Sequence, residues 1–376
     1  MEFGIHQKIL LSVFAVAAIM GATANKTNFC TMGAVSDWVN MDDKGRMRSW
    51  LLAVAVAMGG VLILEALGKV NLSGMTFPPY RTANFAWLRY LLGGLLFGVG
   101  MTLGSGCGNK TLVRIGAGNL KSFFVLAIAA GMSYLMLWTD FYLTVFDSWM
   151  APLTVNLGTA IGAKSQTLDG IVGGLMGMDS TATLHLILGG IVVLGLLIFI
   201  FSSEDFRGNR DNILGGTVVG LAVVAGWYLT GSALGAEWKE WAEMADTPPS
   251  RVEVQSFTFI SPMGDSVRYL MNPTDLSLIN FGVTALTGVI VGSFLYAGIS
   301  RSIRFEWFVS VGDFFNHAIG GVLMGVGGVL SMGCTIGQGI TGFSTLALGS
   351  MLTFAAIVAG AAGTMKYQYW RMMREA

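Results

Sequence analysis

Residues 96–110 read Leu96-Phe97-Gly98-Val99-Gly100-Met101-Thr102-Leu103-Gly104-Ser105-Gly106-Cys107-Gly108-Asn109-Lys110, and residues 323–339 read Leu323-Met324-Gly325-Val326-Gly327-Gly328-Val329-Leu330-Ser331-Met332-Gly333-Cys334-Thr335-Ile336-Gly337-Gln338-Gly339. An offset of 227 lays one over the other, placing Gly98 on Gly325, Gly100 on Gly327, Leu103 on Leu330, Gly106 on Gly333 and Cys107 on Cys334. Each stretch is an apolar, glycine-studded run that ends in glycine, then cysteine. Such a run is too apolar for a soluble surface. Its glycines permit close helix packing and chain breaks inside a bilayer.

Working outward, the same pattern recurs. Cys30-Thr31-Met32-Gly33 lies over Cys334-Thr335-Ile336-Gly337 at an offset of 304, and the match continues to Gly45 on Gly349, Trp50 on Phe354 and Gly59 on Gly363. Each cysteine opens a unit: a glycine-containing turn, then Gly-x-x-x-(Ser/Thr)-aromatic, then a helix. A fourth unit is expected at an offset of 231, where Met32-Gly33 meets Met263-Gly264 and the cysteine position holds Ser261. The chain therefore reads as two halves of two units each, inverted with respect to one another, an arrangement recurrent in transporters.

Composition agrees. Of 376 residues only 12% are charged, about half the usual soluble share, and 53% are hydrophobic; there are 52 Gly but 7 Pro. This is the composition of an all-α integral membrane protein. Nine spans are expected, near 9–25, 48–69, 88–105, 119–138, 182–202, 211–231, 277–299, 314–332 and 350–366. Re-entrant half-helices are expected at the cysteines. The whole of 1–376 forms one membrane domain: 1–140 the first half, 141–210 a connection holding the odd fifth span, and 211–376 the second half. Ala22-Thr23-Ala24 resembles a signal cleavage site, but only Lys8 precedes it as a base, so the first apolar run reads as a span. Trp50, Trp87, Tyr90, Trp138, Trp227, Trp307 and Trp370 fall near span ends, where interfacial rings are expected. Trp238-Lys239-Glu240-Trp241 reads as an interfacial helix.

The 22 Lys+Arg balance 22 Asp+Glu, and no basic stripe exists, which argues against nucleic acid. Segments after spans one, three, five, seven and nine hold 14 of the 22 bases. By the positive-inside rule the N-terminus is outside and the C-terminus cytoplasmic. Three well-separated cysteines make no closed disulfide framework, and no His/Cys spacing suits zinc. No metal and no cofactor is expected.

As chemistry, each half-helix N-terminus offers unpaired N–H groups and partial positive charge, which suits an anion. A thiol adds a weak donor and a soft, polarisable sulfur. Cys30, Cys107 and Cys334 meeting on one axis would form a ladder for a soft, sulfur-containing anion. Lys110 supplies charge, and Asn109, Thr335 and Gln338 supply hydrogen bonds. The competing reading is three buried structural thiols. Asp313, Asn316 and His317 read as capping and interfacial groups, and Glu65 as lying near headgroups.

Gly104-Ser105-Gly106-Cys107-Gly108-Asn109-Lys110, Gly333-Cys334-Thr335-Ile336-Gly337-Gln338-Gly339 and Asn28-Phe29-Cys30-Thr31 resemble the three cysteine motifs of the YeeE/YedE family of bacterial inner-membrane proteins. The resemblance implies a non-enzymatic thiosulfate uptake transporter with nine spans, in-membrane loops and an hourglass-like shape. It implies anion passage through transient S–H···S contacts at Cys30, Cys107 and Cys334, with a TusA-like cytoplasmic sulfur carrier as partner. It leaves open selenium compounds or other sulfur compounds as substrate. A membrane sulfurtransferase or thiol oxidoreductase is the alternative class; the latter needs a close cysteine pair, and the sequence contains none.

Overall fold

A computed structural model describes residues 4–73, 75 and 77–375. The chain is mostly helical, and its main helices are α1 (Ile5–Lys26), α2 (Thr31–Met41), α3 (Gly45–Ala66), α4 (Trp87–Leu103), α5 (Gly108–Gly116), α6 (Leu120–Trp138), α7 (Leu168–Met176), α8 (Ala182–Phe201), α9 (Arg210–Gly231), α10 (Ala233–Met244), α11 (Ile260–Met271), α12 (Phe281–Ile299), α13 (Val311–Leu330) and α14 (Leu348–Glu375). Among the described residues, nine helical stretches are long and apolar enough to cross a membrane, and all nine fall on the expected spans. Short helices interrupt them where expected: α2 after Cys30, α5 after Cys107, and a π-helical turn, Gly337–Gly342, after Cys334. One two-residue antiparallel ladder, Asn84–Phe85 with Val155–Asn156, ties the loop before α4 to the connection.

Glycines set how closely the helices approach. α4 and α13 cross through a reciprocal seam. A Cβ on Gly93 would stand 2.8 Å from the Gly327 carbonyl oxygen, and one on Gly327 would stand 2.7 Å from that of Gly93. Gly100 and Gly320 oppose each other in the same way, at 2.9 and 2.8 Å. The order of these contacts makes the two helices antiparallel. Gly93 and Gly320, like Gly100 and Gly327, are also partners in the 227-residue offset.

The remaining packing comes in matched pairs. α1 lies along α12, and α9 along α3. α4 packs on α14, and α13 on α6. α2 rests on α14, and α11 on α6. α5 meets α12, and the π-helical turn meets α3. α8, the odd fifth span, packs chiefly on α3 and leaves most of its surface outward.

Two expectations change. Trp50, Tyr90 and Trp227 are not interfacial rings but buried ones. The Trp50 indole N–H donates to Thr31 Oγ1 at 3.0 Å and its ring stacks on Phe354 at 3.9 Å; the Trp227 indole donates to Ser344 Oγ at 3.0 Å. Their N–H partners lie inside the fold, so burial leaves no unmet donor. Ser261 is the second residue of α11, inside the helix, whereas Cys30 precedes its helix. The expected interfacial segment is helical: α10 buries Trp238, whose N–H meets His6 Nδ1 at 3.1 Å.

Candidate functional site

The three cysteines share one local construction. Two residues before each stands a residue in the left-handed region: Asn28 (φ 52°), Ser105 (φ 57°) and Met332 (φ 59°). That conformation ends the preceding helix with a backbone bond from the next residue's N–H: Phe29 to Ala24 at 3.1 Å, Gly106 to Met101 at 2.9 Å and Gly333 to Gly328 at 2.8 Å. These are the six-to-one bonds of a helix C-cap. Asn tolerates this region, but Ser and Met adopt it at some cost, so packing must hold them there.

The chain then turns, each cysteine stands at the N-cap position of the next helix, and the sulfurs of Cys30 and Cys334 accept capping bonds. Cys30 Sγ accepts from the Gly33 N–H at 3.3 Å, and Cys334 Sγ from the Gly337 N–H at 3.4 Å. Cys107 Sγ faces the Lys110 N–H in the same i+3 relation. Cysteine here occupies the position that Ser, Thr or Asp usually takes at a helix start. Three helix N-termini, each with partial positive charge, therefore point at three thiols.

The thiols converge. Cys30 and Cys107, 77 positions apart in sequence, have neighbouring side chains, and the Thr335 side chain stands beside Cys107. Thr335 follows Cys334 in sequence, so the third cysteine turn also reaches the surroundings of Cys107. The sequence contains no close cysteine pair, but the fold makes one. All three residues are buried and unoxidised. Cys30 is 6% exposed and forms part of the wall of a cavity of about 410 Å³, shared with Asn25, Asn28, Arg46, Lys110 and Arg114. Cys107 and Cys334 lie behind it at 1% and 0%.

The cavity is cationic. Arg46 is neutralised by Asp37. The Lys110 ammonium donates to Asn28 Oδ1 at 3.2 Å, and Arg114 donates to the Ser105 carbonyl. Among the described residues neither Lys110 nor Arg114 has a carboxylate partner. The sequence singles out Lys110 but not Arg114, although the two are one helical turn apart on α5, nor Arg46.

The expected hydrogen-bonding residues divide. Asn109 Oδ1 and Thr335 Oγ1 are buried without a partner of ordinary geometry. The unmet Thr335 hydroxyl is free to donate to an anion, whereas Asn109 Oδ1 can only accept and suits a water. Gln338 is not free in this way. Its amide nitrogen donates to the Ser331 carbonyl and its oxygen accepts from Ser350 Oγ at 2.6 Å. It holds the turn after Cys334.

Beyond Cys334 the turn packs against buried rings. Tyr80, from the loop between α3 and α4, is buried there. Its hydroxyl donates to the Gly337 carbonyl at 2.7 Å and its ring lies edge-on to Trp227. Nothing in the sequence of that loop marked Tyr80.

Comparison with known proteins adds to this geometry. The chain is 24% identical over 342 residues to the thiosulfate transporter TsuA of Escherichia coli strain K12, covering 88% of this chain and 87% of that protein. It is 22% identical over 359 residues to the thiosulfate transporter TsuA of Spirochaeta thermophila, covering 92% and 94%. The family described as sulphur transport matches residues 26–363, a stretch that contains all three cysteine turns, so the chain belongs to the sulphur-transport family, that of the YeeE/YedE proteins its motifs resemble.

Proposed function

We propose that this chain imports thiosulfate across the bacterial inner membrane, passing it along Cys30, Cys107 and Cys334. The observation that carries the proposal is the convergence of three thiols, each at a helix N-terminus, behind a cavity with two uncompensated cations. Thiosulfate is an anion with a soft terminal sulfur and three hard oxygens. Helix N-termini and Lys110 favour its charge, and thiols favour its soft end. Each contact is weak and the contacts are serial, which is what permits release as well as capture. The relatives' names support a transporter rather than an enzyme, and thiosulfate as cargo.

The inverted two-half architecture belongs to the same reading. It is supported by the antiparallel Gly93–Gly327 and Gly100–Gly320 seam and by the matched packing pairs. In this reading 1–140 and 211–376 are the halves, and 141–210 with α8 is the inverting connection. Counting of basic residues supports an outward N-terminus and a cytoplasmic C-terminus, which puts the Lys110 cavity on the cytoplasmic side. A TusA-like sulfur carrier would receive the anion there. The Thr335 hydroxyl and the Asn109 amide N–H would donate to its oxygens, while Gln338 would act by fixing the Cys334 turn.

The test is uptake of sulfur-labelled thiosulfate into proteoliposomes, competed with sulfate, sulfite and selenium oxyanions. Uptake blocked by unlabelled thiosulfate but not by sulfate is expected. Equal competition by sulfate would refute recognition of the soft sulfur, and preference for a selenium oxyanion would reassign the substrate. Because Cys30 and Cys107 are adjacent, mass spectrometry after thiosulfate exposure distinguishes transport from thiol chemistry. A persulfide or a Cys30–Cys107 disulfide formed at the rate of turnover would mark an enzyme.

A further inference from the structure

The path described so far has thiols at its cytoplasmic end and middle, and Cys334 as its last contact. The segment that leads into α11 adds one more candidate. Residues 255–259 have no regular secondary structure, are buried, and lead to the start of α11. Their neighbours hold them tightly. Ser256 Oγ donates to the Val223 carbonyl at 2.7 Å, and the Phe257 carbonyl accepts from Thr341 Oγ1 at 2.6 Å. Thr258 is the exception. It is 9% exposed, and its Oγ1 is buried without any hydrogen-bond partner.

Its position is specific. A Cβ placed on Gly337 would stand 2.4 Å from Thr258 Oγ1. Gly337 is the residue whose N–H caps the Cys334 sulfur and whose carbonyl accepts from Tyr80. Thr258, Cys334 and Tyr80 therefore meet at one glycine, and any side chain there would fill the space between Thr258 and the turn. Of the other unpartnered buried side-chain oxygens, Asn109 and Thr335 lie at the starts of the cysteine helices, while Gln166 and Thr353 lie elsewhere. The packing pairs give the same placement. α11 rests on α6 as α2 rests on α14, so the residues leading into α11 stand where those leading into α2 stand. Cys30 lies one residue before its helix and Thr258 two before.

We infer that Thr258 is a substrate-contacting residue on the outer side of Cys334, its hydroxyl donating to a sulfonate oxygen of the anion while the Cys334 thiol contacts the soft sulfur. The inference rests on the thiosulfate reading above and deepens it. A hydroxyl beside a thiol reads both ends of thiosulfate at once: the hard oxygens and the soft sulfur. It replaces Ser261 as the fourth position of the path, because Ser261 lies within α11.

The structure supplies an unusual control. A buried hydroxyl that meets no partner is costly, so an isosteric apolar replacement should leave stability unchanged or improve it. The experiment uses the full chain in proteoliposomes with labelled thiosulfate at graded concentrations, and tryptophan-detected thermal unfolding of the same preparations. Thr258→Val is expected to raise KM about tenfold, the scale of one hydrogen bond to an anion, with unfolding temperature equal to or above wild type. Thr258→Ser is expected to restore KM to within about twofold, since it keeps the donor. Wild-type kinetics in Thr258→Val, alongside impaired Cys334→Ala, would overturn the assignment and leave the cysteine path standing. A lowered unfolding temperature in Thr258→Val would show a structural hydroxyl and also overturn it. Absence of thiosulfate uptake by the wild-type chain would overturn the underlying reading and this inference with it.

Discussion

A methyl group at Gly100 or Gly327 tests how the two cysteine turns are held in register. A Cβ on Gly100 would stand 2.7 Å from Met324 N and 2.9 Å from the Gly320 oxygen; one on Gly327 would stand 2.6 Å from Phe97 N and 2.7 Å from the Gly93 oxygen. These are backbone atoms and cannot rotate away. To reach the 3.4 Å of ordinary contact the helices must part by roughly 0.7–0.8 Å, and overpacking of this kind costs about 1–3 kcal/mol. The same seam joins the helices that carry Cys107 and Cys334, each four residues past its helix end, so parting it misaligns the thiols. Gly100→Ala and Gly327→Ala should each lower the unfolding temperature and the rate of thiosulfate uptake, by similar amounts. The double variant should cost less than the sum, because the first methyl already opens the gap. Gly195→Ala on α8 is the control: nothing lies within 4 Å of its Cβ, so it should be neutral or mildly stabilising. Unfolding and uptake of Gly100→Ala that match those of Gly195→Ala would refute the close seam and its role in setting the path.

Cys107 sits between Cys30 and Thr335, so Cys107→Ala should abolish uptake at normal protein levels, and Cys107→Ser, a harder and more hydrated contact, should restore little; wild-type uptake by Cys107→Ala rejects the thiol path. A membrane-impermeant maleimide applied to the cytoplasmic face should label Cys30 first, since it reaches the cationic cavity, and Cys334 last; thiosulfate should slow the Cys30 reaction. On the connection, burial works against the charge of Asp169, but hydrogen bonds from His185 and Ser180 outweigh it and hold the carboxyl at about 2. Because that value lies below the unfolded one of about 3.9, the charged form stabilises the fold at neutral pH and the contribution is lost as pH falls from about 4 toward 2. Unfolding temperature should therefore drop over that window in the wild type. Asp169→Asn should remove the Asp169 share of the drop, and an unchanged profile would show that the His185 contact carries no net stability.

Much of the fold could be read because it depends on periodic features. Spans announce themselves by length and apolarity, and all nine lie where expected, although the last helix runs on to Glu375, past the expected end at 366. The aligned cysteines marked the breaks, because glycine-rich, helix-ending sequence in a bilayer must turn where backbone groups find partners. The 227-residue match paired Gly100 with Gly327, but the opposing pairs, Gly100 with Gly320 and Gly93 with Gly327, are visible only in the fold. Rings were misplaced for a physical reason. A Trp near a span end satisfies its N–H equally well at headgroups or on an internal hydroxyl. Only the fold shows that Thr31 and Ser344 wait for Trp50 and Trp227.

The site was legible in residue type and illegible in partnering. Asn109, Thr335 and Gln338 are equivalent donors and acceptors in sequence; the structure separates them, because Ser331 and Ser350 consume the Gln338 amide while Asn109 Oδ1 and Thr335 Oγ1 stay unmet. Distance in sequence hid the Cys30–Cys107 pair for the same reason that it hides any long-range contact. Ser261 shows the limit of alignment most clearly. An offset of 231 preserves Met-Gly and the aromatic, but α11 begins at Ile260, before Ser261, whereas α2 begins after Cys30. A helix that starts two residues early carries its capping position with it, from the aligned serine back to Phe259, and leaves the unpaired hydroxyl at Thr258. Side-chain chemistry along a path follows where each helix starts, and helix starts are what a gapless repeat cannot fix.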